Sequence, residues 1–192
     1  MAAWKFYDRI FIESKESFIK QTFRNRTRIL TANKIENLIV PVEKGNRNIP
    51  IQEIRIDRKQ EWVKKHLKSI QSAYGNAPFY EHYSGDLSNI LNKNHRFLFD
   101  LNLELFEFIL HALSLKKDLH FTRQFIRNYG GEFTDLRSYI HPKKTISAEV
   151  FYEPVAYIQV FGKTFVDNLS VIDLIFNEGP DARHKICTAG RN

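Results

Sequence analysis

Cysteine is almost missing from this chain, with Cys187 alone among 192 residues. That excludes an internal disulfide, and with no second Cys or paired His nearby it excludes a thiol zinc site or redox pair. Long apolar runs are missing too, none approaching the ~20 residues of a membrane span. Met1 is not followed by the basic and then apolar segment of a secretory signal. The expectation is a cytoplasmic chain with no membrane span. Catalytic fingerprints are also lacking: there is no G-x-x-x-x-G-K-[ST] phosphate loop, no G-x-G-x-x-G, no G-x-S-x-G and no H-E-x-x-H. The seven histidines, at 66, 82, 95, 111, 120, 141 and 184, are too scattered for a ligand motif. No metal is expected, and no cofactor is indicated.

What is present is ordinary globular material, 43% apolar and 27% charged, with length enough for one well-buried core. The expectation is a single domain over residues 1–192, with a frayed polar tail at 181–192. The net charge of +7 is uneven. Residues 1–70 carry 16 Lys and Arg against 8 Asp and Glu, while the rest is close to balanced. A localised positive field favours an anionic partner, although it serves solubility equally well.

The cations concentrate in residues 18–26, F-I-K-Q-T-F-R-N-R, where Lys20, Arg24 and Arg26 stand beside the amides of Gln21 and Asn25. A solvated amphipathic turn is the competing reading of this stretch. Around it, residues 8–13 read as a short buried strand, and residues 28–30 and 38–42 as short strands joined by a turn, with Pro41 marking an edge or an end. Residues 51–56 alternate as a half-buried strand.

Asp57 and Gln60 approximate a capping box for a helix running to Tyr74, with Trp62, Val63, Leu67, Ile70 and Ala73 on its apolar stripe. His66 falls on or beside that buried face and Lys65 at its margin. A histidine so placed is more often a core residue than a catalyst. A short helix is expected over residues 86–91 and a long central one over 95–114. In the latter Asn102 interrupts the apolar stripe, so its buried amide either braces a loop or meets a ligand.

After a weak stretch, with a turn at Gly130-Gly131 and a short helix over 135–140, residues 152–161 read as extended. A sharply bounded helix follows, opened by Ser170, with Leu169 and Leu174 at the positions of a hydrophobic staple, and closed by Gly179-Pro180. The element pattern predicts an α/β fold with a small central sheet flanked by helices. An α+β arrangement is the alternative.

In order along the chain stand K-Q-T-F-R-N-R (20–26), V-P-V (40–42), I-D (56–57), W-x-x-K-H (62–66), Y-x-x-A-P-F (74–79), L-N (101–102), Y-x-Q-x-F (157–161) and N-L-S-x-I-D-L-x-F-N-x-G-P (168–180). This series resembles the WbqC-like protein family over nearly the whole chain, the closing motif being the most specific. The resemblance implies a bacterial protein associated with O-antigen and other surface-polysaccharide biosynthesis, transferring an aminoacyl or acyl group to a sugar.

Family members usually open with a strand and a Q-P-x-Y-L-P-x-x-x-Y-F loop that this chain does not contain. A fold-level analogy to nucleotidylyltransferase-like domains then implies a domain lacking its first strand. On this resemblance Lys20, Arg24, Asn25, Arg26 and Lys65 would hold an anionic nucleotide, sugar phosphate or acyl donor. Asn102 and Asn177 would complete the binding site, and His66 and Asp173 would act as catalytic groups. Asp173 reads equally well as a carboxylate favoured by a helix N-terminus. A basic nucleic-acid-binding module or a non-catalytic assembly module is the rival function. Nucleic acid is disfavoured, because most aromatics fall in apolar stripes that a core would bury.

Overall fold

A computed structural model describes Tyr7 and residues 9–43, 49–130, 133–137 and 154–188. Residues 2–7, which by sequence could end a helix, lie outside these residues apart from Tyr7. The helix expected over 135–140 reaches them only at 135–137, where no helix forms.

The order of elements is β1 (Arg9–Ile12), β2 (Arg26–Leu30), β3 (Ile35–Ile39), α1 (Trp62–Tyr74), α2 (Tyr80–Asn92), α3 (Leu98–Ala112), β4 (Asp118–Phe121), α4 (Val171–Glu178) and α5 (Ala182–Thr188). The fold is mixed α/β. In place of one central sheet, the described strands make two small ones flanked by helices. β1 pairs in parallel with β4, Ile10 opposite Leu119. β2 and β3 form an antiparallel hairpin in which Arg26 faces Ile39 and Arg28 faces Asn37. Among the described residues no helix is long and apolar enough to cross a membrane.

Residues 51–56 add no strand to either sheet. Instead of the expected strand, Ile51–Glu53 make one 3-10 turn, and Arg55 and Ile56 contribute single bridges to Phe97 and Val42. Ile51 and Ile54 are both buried and stand three residues apart, the period of a 3-10 turn rather than of a strand. That spacing sets both against the core, and Ile54 accepts the Leu98 N–H at 2.9 Å at the start of α3.

The core lies where α1, α2, α3 and α4 meet the hairpin, around Ile29, Tyr74, Leu98, Leu101, Ile175 and Phe176. Asp57 does not cap α1. Its two carboxylate oxygens accept the Lys59 N–H at 3.0 Å and the Gln60 amide at 3.0 Å, closing a turn four residues earlier. α4 begins after Ser170, yet the Ser170 hydroxyl makes no capping bond; the Asp173 N–H reaches the Ser170 carbonyl instead, at 3.0 Å.

At the far end Gly179 has φ +54°, a left-handed conformation that suits glycine. A Cβ there would stand 2.5 Å from the Phe79 ring. Within the stretch expected to be a polar tail, the described residues form α5, which carries Ala182 and Ile186 into the core, and residues 189–192 lie outside the described ones.

Candidate functional site

The basic stretch before β2 is a braced turn. Gln21 takes φ +61°, and the buried Thr22 hydroxyl donates to the Ile19 carbonyl at 2.8 Å. Arg24, expected to hold an anion, is already engaged: its Nε and Nη2 fork onto the two Glu16 carboxylate oxygens at 2.7 and 2.5 Å. Its carbonyl accepts the Asn102 amide at 2.8 Å, so Asn102 braces the turn from α3. The Asn25 amide nitrogen donates to the Val40 carbonyl at 3.0 Å, while its Oδ1 is buried without a partner. Lys20 is exposed on the turn.

Arg26 and Arg28 sit two residues apart on β2 and therefore on one face of the hairpin. Both are half-buried, and the Nε of each is sealed from solvent with no hydrogen-bond partner. Arg28 is fixed at its tip, where Nη2 donates to the Asn168 carbonyl at 2.6 Å, and its guanidinium lies 5.8 Å from the centre of the Phe23 ring. Asn168 offers that carbonyl from φ +54°, a conformation asparagine tolerates better than most residues. The Arg28 carbonyl in turn accepts the Ser170 N–H at 2.8 Å. The start of α4 is thereby docked on β2.

Three residues on, Asp173 is 1% exposed. Its Oδ2 accepts the Tyr157 hydroxyl at 2.6 Å and the Gln159 amide at 3.0 Å. Its Oδ1 is buried without a partner. Burial pushes the Asp173 pKa up, against the hydrogen bonds from Tyr157 and Gln159 and the nearby Tyr74 hydroxyl, which pull it down. The Tyr74 hydroxyl stands close enough to couple to this carboxylate, although it makes no bond of normal geometry with Oδ1. Burial first, and then the Asp173 charge, hold it firmly in the phenol form. Tyr74 also accepts the Leu30 N–H from β2, at 3.4 Å.

Gln159 uses its whole amide. Besides Asp173 it donates to the Val166 carbonyl and accepts the Val166 N–H, both at 2.9 Å, which pins the 160–165 loop.

Of the residues the sequence pointed to, the fold gathers Asn25, Arg26 and Asp173 around β2. Asn177 faces inward within α4, its amide nitrogen donating to the Asp173 carbonyl at 2.7 Å. His66 and Lys65 sit apart on α1. Lys65 is exposed. His66 packs edge-on to Trp62, with ring centres 5.1 Å apart, and bonds the backbone of Ile39. Burial holds its pKa below the ordinary histidine value, outweighing that bond and the Glu36 charge. Arg28, Tyr74, Tyr157 and Gln159 were missed as site residues. Tyr74, Tyr157 and Gln159 were visible as motif positions, but nothing local tied any of the three to Asp173. Among the described residues no group of three or more His, Cys, Asp or Glu stands close enough to hold a metal.

The fold and site define a mixed α/β protein with two half-buried arginines on β2 and a buried carboxylate on α4, the helix whose start docks on that strand. The model of the WbqC-like protein family matches residues 3–143 and 130–185, and the chain belongs to that family. Comparison with curated proteins and with solved structures gives no match.

Proposed function

We propose that this protein is a group transferase of bacterial surface-polysaccharide (O-antigen) biosynthesis, binding an anionic nucleotide, sugar-phosphate or acyl donor at Arg26 and Arg28. The supporting observation is the pair of buried, unpartnered Nε atoms on neighbouring arginines of one strand face. An unpaired buried donor costs about 1–3 kcal/mol, a cost that a bound anion removes by accepting from both guanidinium groups.

Asp173 supplies the proton chemistry. Its raised pKa makes the carboxylate a better base than a solvated aspartate. In an aminoacyl or acyl transfer, the sugar hydroxyl or amine attacks the donor carbonyl carbon as Asp173 takes its proton. The bond to the leaving group then breaks, and the proton passes to that group. His66, bonded to the Ile39 backbone and packed on Trp62, takes no part in this scheme.

A second reading, an assembly or nucleic-acid-binding module, is favoured by exposed aromatics that the sequence had led us to expect in the core. Phe11, Phe121, Phe125 and Phe133 are each at least 40% exposed, and the Phe11 and Phe133 rings meet at 5.1 Å.

Thermal melting with pyrophosphate, UDP, CMP, coenzyme A and a short single-stranded oligonucleotide separates the two. On the transferase reading a small anion raises the melting temperature, Arg28→Ala abolishes the rise and Arg24→Ala leaves it. No rise with any small anion refutes that reading. Salt-dependent oligonucleotide binding lost in Phe125→Ala would establish the rival.

A further inference from the structure

A separate cleft of about 300 Å³ opens between the β2–β3 hairpin and α1. Asn33 and Glu36 line it from the β2–β3 hairpin, Lys68, Ser69 and Ser72 from α1, and Phe161 from the loop that Gln159 pins. We propose that this cleft binds one neutral sugar ring.

The chemistry of the walls selects the ligand class. Glu36 accepts the Ser69 hydroxyl on Oε1 at 3.0 Å, which fixes the carboxylate and leaves Oε2 to accept from a ligand hydroxyl. The side chains of Asn33, Lys68 and Ser72 hold no partner among the described residues, so the lining offers both donors and acceptors. The one large apolar wall is Phe161, half-buried and confined to one side. A pyranose has this same division, with hydroxyls at its rim and C–H groups on one face.

Other ligands fit less well. A phosphate would meet the Glu36 carboxylate, which offsets the attraction of the Lys68 ammonium, a nucleobase would find no second ring to close on it, and an acyl chain would meet a mostly polar lining. The volume stands at the small end of ligand clefts, suiting a monosaccharide rather than a whole nucleotide sugar.

Gln159, whose amide donates to Asp173, stands two residues before Phe161 in the chain. Sugar binding in the cleft does not depend on the transferase reading; only the role of acceptor rests on it.

The test is titration of the full chain with glucose, galactose, N-acetylglucosamine and fucose, up to tens of millimolar, followed by saturation-transfer NMR. At least one sugar is expected to bind. Phe161→Ala should weaken it about tenfold, the value of one lost ring contact, and Ser72→Trp, which fills the cleft from an exposed helix position, should abolish it. Both variants are to be checked for an unchanged far-ultraviolet spectrum and cooperative melting. No binding by any sugar, or binding that survives both substitutions, overturns the proposal. An anion-induced melting shift without sugar binding removes the cleft and spares the transferase reading, and sugar binding without an anion shift does the reverse.

Discussion

Replacing Asp173 by Asn removes a charge that the fold buries at a cost. The Asn side chain is nearly isosteric, and its oxygen can accept from Tyr157 and Gln159 as Oδ2 does. Its NH2 then puts a neutral group where a buried carboxylate oxygen has no partner. An unpartnered buried polar atom costs about 1–3 kcal/mol and more when charged, so neutralising it recovers a gain of about that size. In a chain of this size each kcal/mol moves the melting temperature by about 2–4 °C, so Asp173→Asn should melt about 3–8 °C above the wild type at neutral pH.

The sign of the pH dependence follows from the direction of the shift. The folded pKa of Asp173 lies above its unfolded value of 3.8. Between the two, the folded chain binds more protons than the unfolded one, so the site's contribution to stability falls as pH rises. It is fully present below the unfolded pKa and lost as pH passes through the folded pKa. The advantage of the Asn variant should therefore be small at acid pH and grow towards neutrality. Melting both proteins by circular dichroism across that range checks it. An Asn variant less stable at neutral pH, or a difference that does not change with pH, would show that the buried carboxylate is not the strained group described here. A gain in stability with loss of activity is the usual trade at a functional residue.

Arg24→Ala should lower stability by about 1–3 kcal/mol in urea, since it breaks a forked ion pair with Glu16 that is mostly shielded from water. Combined with Glu16→Ala the loss should be smaller than the sum of the single losses, and a purely additive result would refute a structural pairing. Gly179→Ala forces a Cβ into the Phe79 ring at a positive φ, and Phe79 is held by the Phe176 carbonyl at 3.0 Å. The expected cost is about 2–4 kcal/mol, read as a melting temperature about 5–10 °C lower; melting with the wild type would mean that Phe79 yields.

Much of the fold was legible because the helices carry their own signals. The stripe from Trp62 to Ala73, the apolar run of α3 and the Ser170-to-Gly179 boundaries of α4 are local patterns, and the chain follows them. Residues 51–56 were misread because Ile51, Ile54 and Ile56 suit either an alternating strand or a 3-10 turn, and only packing against α3 chooses. α5 was missed because seven residues with two apolar contacts give too little periodicity to register.

The candidate site was legible only in part. Arg26 and Asp173 could be singled out by residue type and motif, yet Arg24, the most attractive anion ligand in the string, is consumed by Glu16 eight residues earlier. Arg28 looked like an ordinary strand residue until Asn168, 140 positions away, received its guanidinium.

By itself the sequence determined the helices, the basic character of the first third, and membership of a family, because each of these is written in composition, local spacing or motif order. Which cations stay available and which carboxylate is stranded depends on long-range partners. Only the tertiary structure decided that Arg24 is spent, that Arg26 and Arg28 keep a buried, unpartnered Nε, and that Asp173 meets Tyr157, Gln159 and Tyr74. The free energy of a buried charge is set by what surrounds it in space, and neighbours in the chain do not supply that.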